Sequence, residues 1–253
     1  MKLQFLGTGA AFTPITENFQ SNMIIKSDNG KHLLIDCGSD ARHSLAAVGL
    51  THRDIDSVYI SHLHADHAGG LEWLAFTNRF DKPPRKPQLY IHPSLVHRLW
   101  DNVLSGGLQS IEGERPASLT DFYELMPIVD DVFIWEDIKF QLVKTVHVCN
   151  GAKLAPSFGL FFTTAKRKVF ITTDTQFEAE QYKIYFDKAD LIFHDCDTGK
   201  NKSPVHAHFS ELAGLTDEIK AKMWLYHYNS TKGIDAKAQG FLGFVTKGQE
   251  FKI

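Results

Sequence analysis

Ser61-His62-Leu63-His64-Ala65-Asp66-His67 puts four potential metal ligands into six residues, directly after the β-branched and aromatic run Ser57-Val58-Tyr59-Ile60. On an extended chain, side chains at i and i+2 point the same way, so His62 and His64 can reach one ion. Asp66 and His67 are adjacent and point apart, which suits a second ion beside the first. Imidazole and carboxylate without a thiolate favour zinc or a similar divalent metal over an iron–sulfur centre. A lone histidine on such a loop is usually structural, but four donors in six residues are not explained that way.

Outward from this cluster the chain alternates strands and helices. Lys2 to Leu6 reads as a strand stopped by Gly7-Thr8-Gly9, a tight turn near the site. It lacks the third glycine and the helix that a dinucleotide fold would need. Ser21–Ile25 and His32–Ile35 predict a hairpin around Asp28-Asn29-Gly30, because Asn-Gly tolerates positive φ. Ser39 or Asp40 then caps an amphipathic helix ending near Gly49. Gly70 to Phe80 and Pro93 to Leu104 read as helices, the second opened by its proline. Ser105 to Thr120 is the least regular stretch and is expected to cover the site, with Phe122 and Tyr123 available for stacking. Strands are expected near Val132–Trp135, Phe140–His147, Phe158–Thr163, Val169–Thr173, Leu191–Phe193 and Met223–Tyr226. Helices are expected near Phe177–Asp187 and Ser210–Lys222. No composition break divides the chain, so 1–253 reads as one domain, an α/β/β/α sandwich.

Composition narrows the function. With 253 residues, 43 % hydrophobic and 23 % charged, the chain is of ordinary globular make-up. A net charge of −3 leaves no electrostatic footprint for long nucleic acid. No stretch approaches the roughly 18 apolar residues of a membrane span. Glycine at position 7 interrupts the N-terminus before the apolar core of a signal peptide could form. Three scattered cysteines, Cys37, Cys149 and Cys196, suit a reducing compartment. A cytoplasmic location is the expectation.

The run His62 to His67 resembles the His-x-His-x-Asp-His signature of the metallo-β-lactamase superfamily. Phe5-Leu6-Gly7-Thr8-Gly9-Ala10 and Leu34-Ile35-Asp36-Cys37-Gly38 are similar to segments of ribonuclease Z. So are His147 at a strand end, Asp174 in Thr172-Thr173-Asp174-Thr175, His194-Asp195, His208-Phe209-Ser210, and His227 after Trp224-Leu225-Tyr226. The resemblance implies the metallo-β-lactamase αββα sandwich. It implies that His62, His64 and His147 hold one metal, that Asp66, His67 and His227 hold another, and that Asp174 bridges them. Two divalent ions about 3.5–4 Å apart, zinc first and manganese as the alternative, would then share a hydroxide. Asp36 is a candidate acceptor for the outer nitrogen of a ligating imidazole.

Hydrolysis of a phosphodiester expels a poorly stabilised alkoxide, so a proton donor adds about 10²–10⁴-fold. The ribonuclease Z pattern puts His208 in that role, paired with an acidic residue whose place Asp195 takes here. His206 is a rival for the same role, and capping of the helix at Ser210 is the other use for His208. His32, His43, His52, His92 and His97 have no partner cluster and are expected at the surface or in packing. His194 is left between packing and support of the site.

Three substrate classes remain: small phosphodiesters, precursor tRNA, and acyl or thioester compounds or a bound cofactor. Ribonuclease Z carries a long tRNA-gripping arm between its third-motif histidine and its bridging aspartate. Here His147 and Asp174 are 27 positions apart (174 − 147), which leaves no room for it. The closest resemblance is to small cyclic-nucleotide phosphodiesterases of this fold, the anti-Pycsar enzymes of phages and bacteria among them. It implies a 3′,5′-cyclic nucleotide substrate and a homodimer in which one subunit's loop helps cover the other's site.

Overall fold

A computed structural model describes residues 1–253. Its strands are β1 (Lys2–Phe5), β2 (Met23–Lys26), β3 (His32–Ile35), β4 (Ser57–Ile60), β5 (Gln88–Ile91), β6 (Glu124–Leu125), β7 (Val132–Trp135) and β8 (Ile138–Thr145) in the first half. The second half adds β9 (Cys149–Asn150), β10 (Lys153–Leu154), β11 (Ser157–Thr163), β12 (Lys168–Ile171), β13 (Leu191–Asp195), β14 (Met223–Tyr226), β15 (Gly243–Phe244) and β16 (Glu250–Lys252). Two seven-stranded sheets result, ordered β16-β1-β2-β3-β4-β5-β6 and β15-β14-β13-β12-β11-β8-β7, with β9 and β10 as a separate ribbon.

Both sheets follow the same plan. In the first, β1, β2 and β3 pair antiparallel, and β3 to β6 run parallel. In the second, β7, β8, β11 and β12 pair antiparallel, and β12 to β15 run parallel. Because β11 opposes both neighbours, β8 points the same way as β12, β13 and β14. Every strand that feeds the site therefore delivers it at a carboxyl end, where open α/β sheets leave a crevice.

The expected hairpin forms as β2–β3, with Met23 opposite Ile35 and Gly30 at φ 79°. Helices α1 (Ala41–Ala47), α2 (Ala65–Ala68), α3 (Leu71–Arg79), α4 (Pro93–Leu99), α5 (Ser105–Leu108) and α6 (Leu119–Phe122) belong to the first sheet's half. Helices α7 (Ala179–Lys188), α8 (Phe209–Leu212) and α9 (Asp217–Lys220) belong to the second. The helix expected over Ser210–Lys222 is thus two helices. Thr216 adopts extended angles (φ −62°, ψ 151°) and starts α9 afresh.

The inner faces of the two sheets share one core of 45 buried residues. Phe5 of β1 meets Phe193 of β13 at 5.0 Å between ring centres, and Tyr59 of β4 stacks on Phe133 of β7 at 5.7 Å. Each such ring contributes about 1.5–3 kcal/mol of burial. Behind the second sheet, Tyr182 and Phe186 of α7 pack on Phe170 in a smaller cluster of 13. Phe158 and Phe162, in the aromatic strand β11, are core residues.

No residue of 105–120 lines the cavities beside the donor groups within this chain. Phe122 and Tyr123 are buried in the main core, where Phe122 meets Phe76 edge-on and the Tyr123 hydroxyl donates to the Leu71 carbonyl at 2.6 Å. Apolar rings gain more from that burial than from lining a polar cavity.

Candidate metal centre

Strand ends place the donors. His62 to His67 follow β4, His147 follows β8, Asp174 follows β12, Asp195 ends β13 and His227 follows β14. Three residues just past these ends take left-handed angles: Asp36 (φ 62°) after β3, Thr173 (φ 53°) after β12 and His227 (φ 65°) after β14. Each costs of order 1–3 kcal/mol and persists only where the surroundings over-determine it. Gly38 permits a close approach, since a Cβ there would stand 2.2 Å from the Asp66 carbonyl oxygen. Asn22 ties the same two loops, donating to the Asp66 carbonyl at 3.0 Å and accepting from the Gly38 N–H at 2.6 Å.

Two groups of donors converge and share Asp174. His62, His64, His147 and Asp174 form one; Asp66, His67, Asp174 and His227 form the other, with ligand atoms in each within 4.8 Å of one another. In the first, Nδ1 of His64 lies 3.0 Å from Nε2 of His62 and 3.1 Å from Nε2 of His147. Asp174 Oδ2 is 3.8 and 3.7 Å from those two Nε2 atoms. Around an ion with bonds of about 2.0–2.1 Å, tetrahedral donors stand roughly 3.3–3.4 Å apart. The observed edges bracket that spacing. In the second, Nε2 of His67 is 3.0 Å from Asp66 Oδ2 and 3.2 Å from Asp174 Oδ2, yet makes no hydrogen bond of acceptable geometry. Oδ1 of Asp174 is likewise buried without a partner.

The outer nitrogens explain why the inner ones are bare. His62 Nδ1 is 3.0 Å from Ser61 Oγ, whose hydroxyl donates to Asp36 at 2.8 Å. His147 Nδ1 lies 2.8 Å from the Val205 carbonyl, His67 Nδ1 2.7 Å from Asp36 Oδ2, and His227 Nδ1 3.3 Å from Asp195 Oδ1. An imidazole whose Nδ1–H meets an acceptor presents the lone pair of Nε2. Three such lone pairs, of His62, His147 and His67, point into one buried space with Nε2 of His227 and the carboxylates of Asp66 and Asp174. The donor set suits divalent metal ions.

The proton affinities agree. Burial drives the His62, His64 and His147 imidazoles below the usual histidine value. Burial acts the same way on His67 and His227, but Asp174 and its fellow carboxylates outweigh it and hold both well above. Asp174 is buried, yet His227 and His67 keep its carboxyl well below the carboxylate range. The space calls for positive charge.

Where the sequence pattern pairs Asp195 with His208, the structure pairs it with His206. His206 Nδ1 is 2.7 Å from Asp195 Oδ2, and its ring stands 5.0 Å from that of His147 and 4.7 Å from that of His227. The Thr175 N–H donates to the same Asp195 oxygen at 2.9 Å. His206 lines a cavity of about 500 Å³ with His64, Asp66, His147 and Asp174. His208 instead caps α8: its Nδ1 accepts from the Ser210 N–H at 3.2 Å, its Nε2 donates to the Gly199 carbonyl at 2.9 Å, and its own N–H donates to Glu211 at 3.0 Å. With both ring nitrogens committed, it is not at the cluster. One signal for this lay in the sequence, since an acidic residue at position 211 marks a capping box starting three residues earlier, at 208.

Of the other histidines, His194 is buried against Phe186 with Nδ1 on the carbonyl of Asp195. His92 stacks on Phe158 and faces Asp131, and His52 faces Asp81. Two residues not singled out by the sequence also border the donors. Arg98 of α4 lines a smaller pocket of about 140 Å³ with His62, His64 and His147, and Phe12 lines the larger cavity.

Over residues 1–251 the chain matches the family described as anti-Pycsar protein Apyc1. It belongs to that family. The Apyc1 protein of Paenibacillus harenae is 35 % identical over 234 residues, covering 91 % of each chain. That of Paenibacillus sp. (strain J14) is 34 % identical over 258 residues, covering 100 % of this chain and 99 % of its own. Among solved structures, the metallo-beta-lactamase fold protein YhfI from Bacillus subtilis superposes with a TM-score of 0.76 at 17 % identity, covering 99 % of this chain and 98 % of that one. The Apyc1-family chain thus has the metallo-β-lactamase fold expected from its histidine run. Family and donor clusters together make it a metal-dependent hydrolase. No helix of this Apyc1-family chain is long and apolar enough to cross a membrane.

Proposed function

We propose that this chain hydrolyses small phosphodiesters, 3′,5′-cyclic nucleotides first among them. His62, His64, His147 and Asp174 hold one divalent ion; Asp66, His67, Asp174 and His227 hold the other. Imidazole-rich coordination favours zinc, with manganese as the alternative. Two ions there supply an activated water and neutralise the charge of the diester. The chain's own residues do the rest. Asp36, Ser61, Val205 and Asp195 hold the outer nitrogens so that the inner ones stay aimed. His206, oriented through Nδ1 by Asp195, turns Nε2 toward the cavity and gives its proton to the departing alkoxide oxygen. Burial alone would lower the His206 proton affinity; the Asp195 carboxylate reverses this and leaves it raised, which keeps a proton available.

The observation that carries the reading is this His206–Asp195 pair on the wall of a cavity that also exposes both donor groups. An acyl or thioester leaving group has less need of it. The stretch from His147 to Asp174 is taken up by β9, β10, β11 and β12, so no arm for a tRNA body supports the ribonuclease alternative. The homodimer and the cytoplasmic location expected from the sequence belong to this proposal.

The test is a hydrolysis panel on zinc- or manganese-loaded protein: 3′,5′-cyclic mononucleotides, bis(p-nitrophenyl) phosphate, a precursor tRNA, a thioester and a β-lactam. Cyclic nucleotides are expected to be cleaved fastest. Precursor tRNA cleaved at matching rates would sink the small-substrate reading.

A further inference from the structure

Phe12 is 95 % exposed, the most exposed of the large apolar side chains and the only one of those that lines the cavity of the donor groups. A phenyl ring kept in water forgoes roughly 1.5–3 kcal/mol of burial. It belongs to neither core cluster.

Its backbone is nevertheless held on every side. Ala11 and Phe12 are the central residues of a turn closed by the Thr13 N–H on the Ala10 carbonyl at 3.0 Å. The Ala10 N–H donates to the Tyr228 carbonyl at 3.2 Å, and the Ala11 carbonyl accepts from the Gln20 amide at 3.3 Å. Below the turn, Thr8 Oγ1 donates to the Tyr228 hydroxyl at 3.0 Å and accepts from Asn18 at 2.9 Å. Tyr228 directly follows His227, so the turn carrying Phe12 is braced against the segment that supplies a donor to the second cluster. The backbone that carries the ring is anchored beside the site, while the ring has no packing of its own.

The neighbouring polar side chains are already committed. Gln20 donates to the Ala11 carbonyl and Ser39 Oγ, and its own oxygen accepts from Ser39 Oγ. This wall therefore offers a flat π-face and few free hydrogen-bonding groups. Such a surface takes a planar heteroaromatic ring and tolerates its identity, because every base has a π-face.

We infer that Phe12 is the platform on which the base of a nucleotide stacks while its phosphate lies at the His/Asp clusters. This rests on the proposed function and adds how the base is held: by stacking, with purines bound more tightly than pyrimidines.

The experiment is calorimetric titration of metal-loaded protein with adenosine 5′-monophosphate and with base-free ribose 5-phosphate, for wild type, Phe12→Ala and Phe12→Trp. Phe12→Ala should weaken the nucleotide by about 5- to 150-fold and leave ribose 5-phosphate unchanged. Phe12→Trp should restore nucleotide binding. Equal weakening of both ligands, an unchanged nucleotide affinity in Phe12→Ala, or no nucleotide binding by wild type each overturns the platform. Parallel assays separate the two ideas. If wild type and Phe12→Ala cleave cyclic AMP with the same KM, the platform fails and the phosphodiesterase stands. If wild type cleaves no cyclic nucleotide yet binds the nucleotide through Phe12, the substrate reading fails and the platform stands.

Discussion

Nδ1 of His206 lies 2.7 Å from Oδ2 of Asp195, and the other oxygen of that carboxylate faces Nδ1 of His227 at 3.3 Å. One fully buried carboxylate thus faces two imidazoles, one in a donor cluster and one on the cavity wall. The group proposed to protonate the leaving oxygen is positioned through the same side chain that faces a proposed metal ligand.

His206→Ala should retain both metals and lose about 10²–10⁴-fold in kcat on cyclic AMP, whose alkoxide needs a proton. The loss on bis(p-nitrophenyl) phosphate should be much smaller, since an aryl oxide leaves unaided. Steady-state kinetics on both substrates decide it; equal losses would remove His206 from the proton-donor role.

His208→Ala should act on stability. Losing the cap of α8 costs about 1 kcal/mol, or roughly 2–4 °C in Tm for a chain of this size, with kcat near wild type. A thermal melt beside the cyclic AMP assay checks this. Unchanged Tm with activity lost would return His208 to the chemistry.

Asp195→Asn removes the charge that serves His227 and His206 together. Metal affinity should fall about 10–100-fold, the usual loss when a carboxylate behind a ligating histidine is removed. Competition against a chromogenic chelator measures it, and wild-type affinity would show that His227 needs no such support.

Asp66→Ala should bring metal content from two per chain toward one, because Asp66 belongs to only one of the two donor groups. Elemental analysis after exhaustive dialysis reads the stoichiometry directly. Two retained ions would contradict the assignment.

Chelation should lower Tm, and zinc should restore it. Binding to the folded state alone stabilises by RT ln(1 + [L]/Kd), about 4 kcal/mol at a thousandfold excess over Kd. Without ions, the lone pairs of His62 and His147 and the Asp66 and Asp174 carboxylates are left facing one another. A melt indifferent to chelator would argue against a metal centre.

Much of this was legible along the chain. The strands around Tyr59, Phe133 and Leu225 follow from β-branched and aromatic runs, the β2–β3 hairpin from Asn29-Gly30, and the converging His/Asp donors from a single six-residue run plus ordered single residues. Less legible were the ends of pairings formed over distance. His208-Phe209-Ser210 matches a familiar pattern, but the capping box with Glu211 claims His208 for the helix, and His206 is left free to meet Asp195 eleven positions earlier. Phe122 and Tyr123 offered rings for stacking, and the core took both.

Sequence alone determined which kinds of side chain are available to hold a metal, because ligand chemistry depends on residue type and strand-end spacing. Tertiary structure decided how the His62–His67 run is completed, since His147 reaches His64 across 83 residues and His227 reaches Asp66 across 161. It also decided which histidine faces the cavity and that Phe12 stands exposed beside it. Those outcomes depend on where two sheets bring their strand ends together and on which polar groups are already satisfied. Neither quantity is local in the chain.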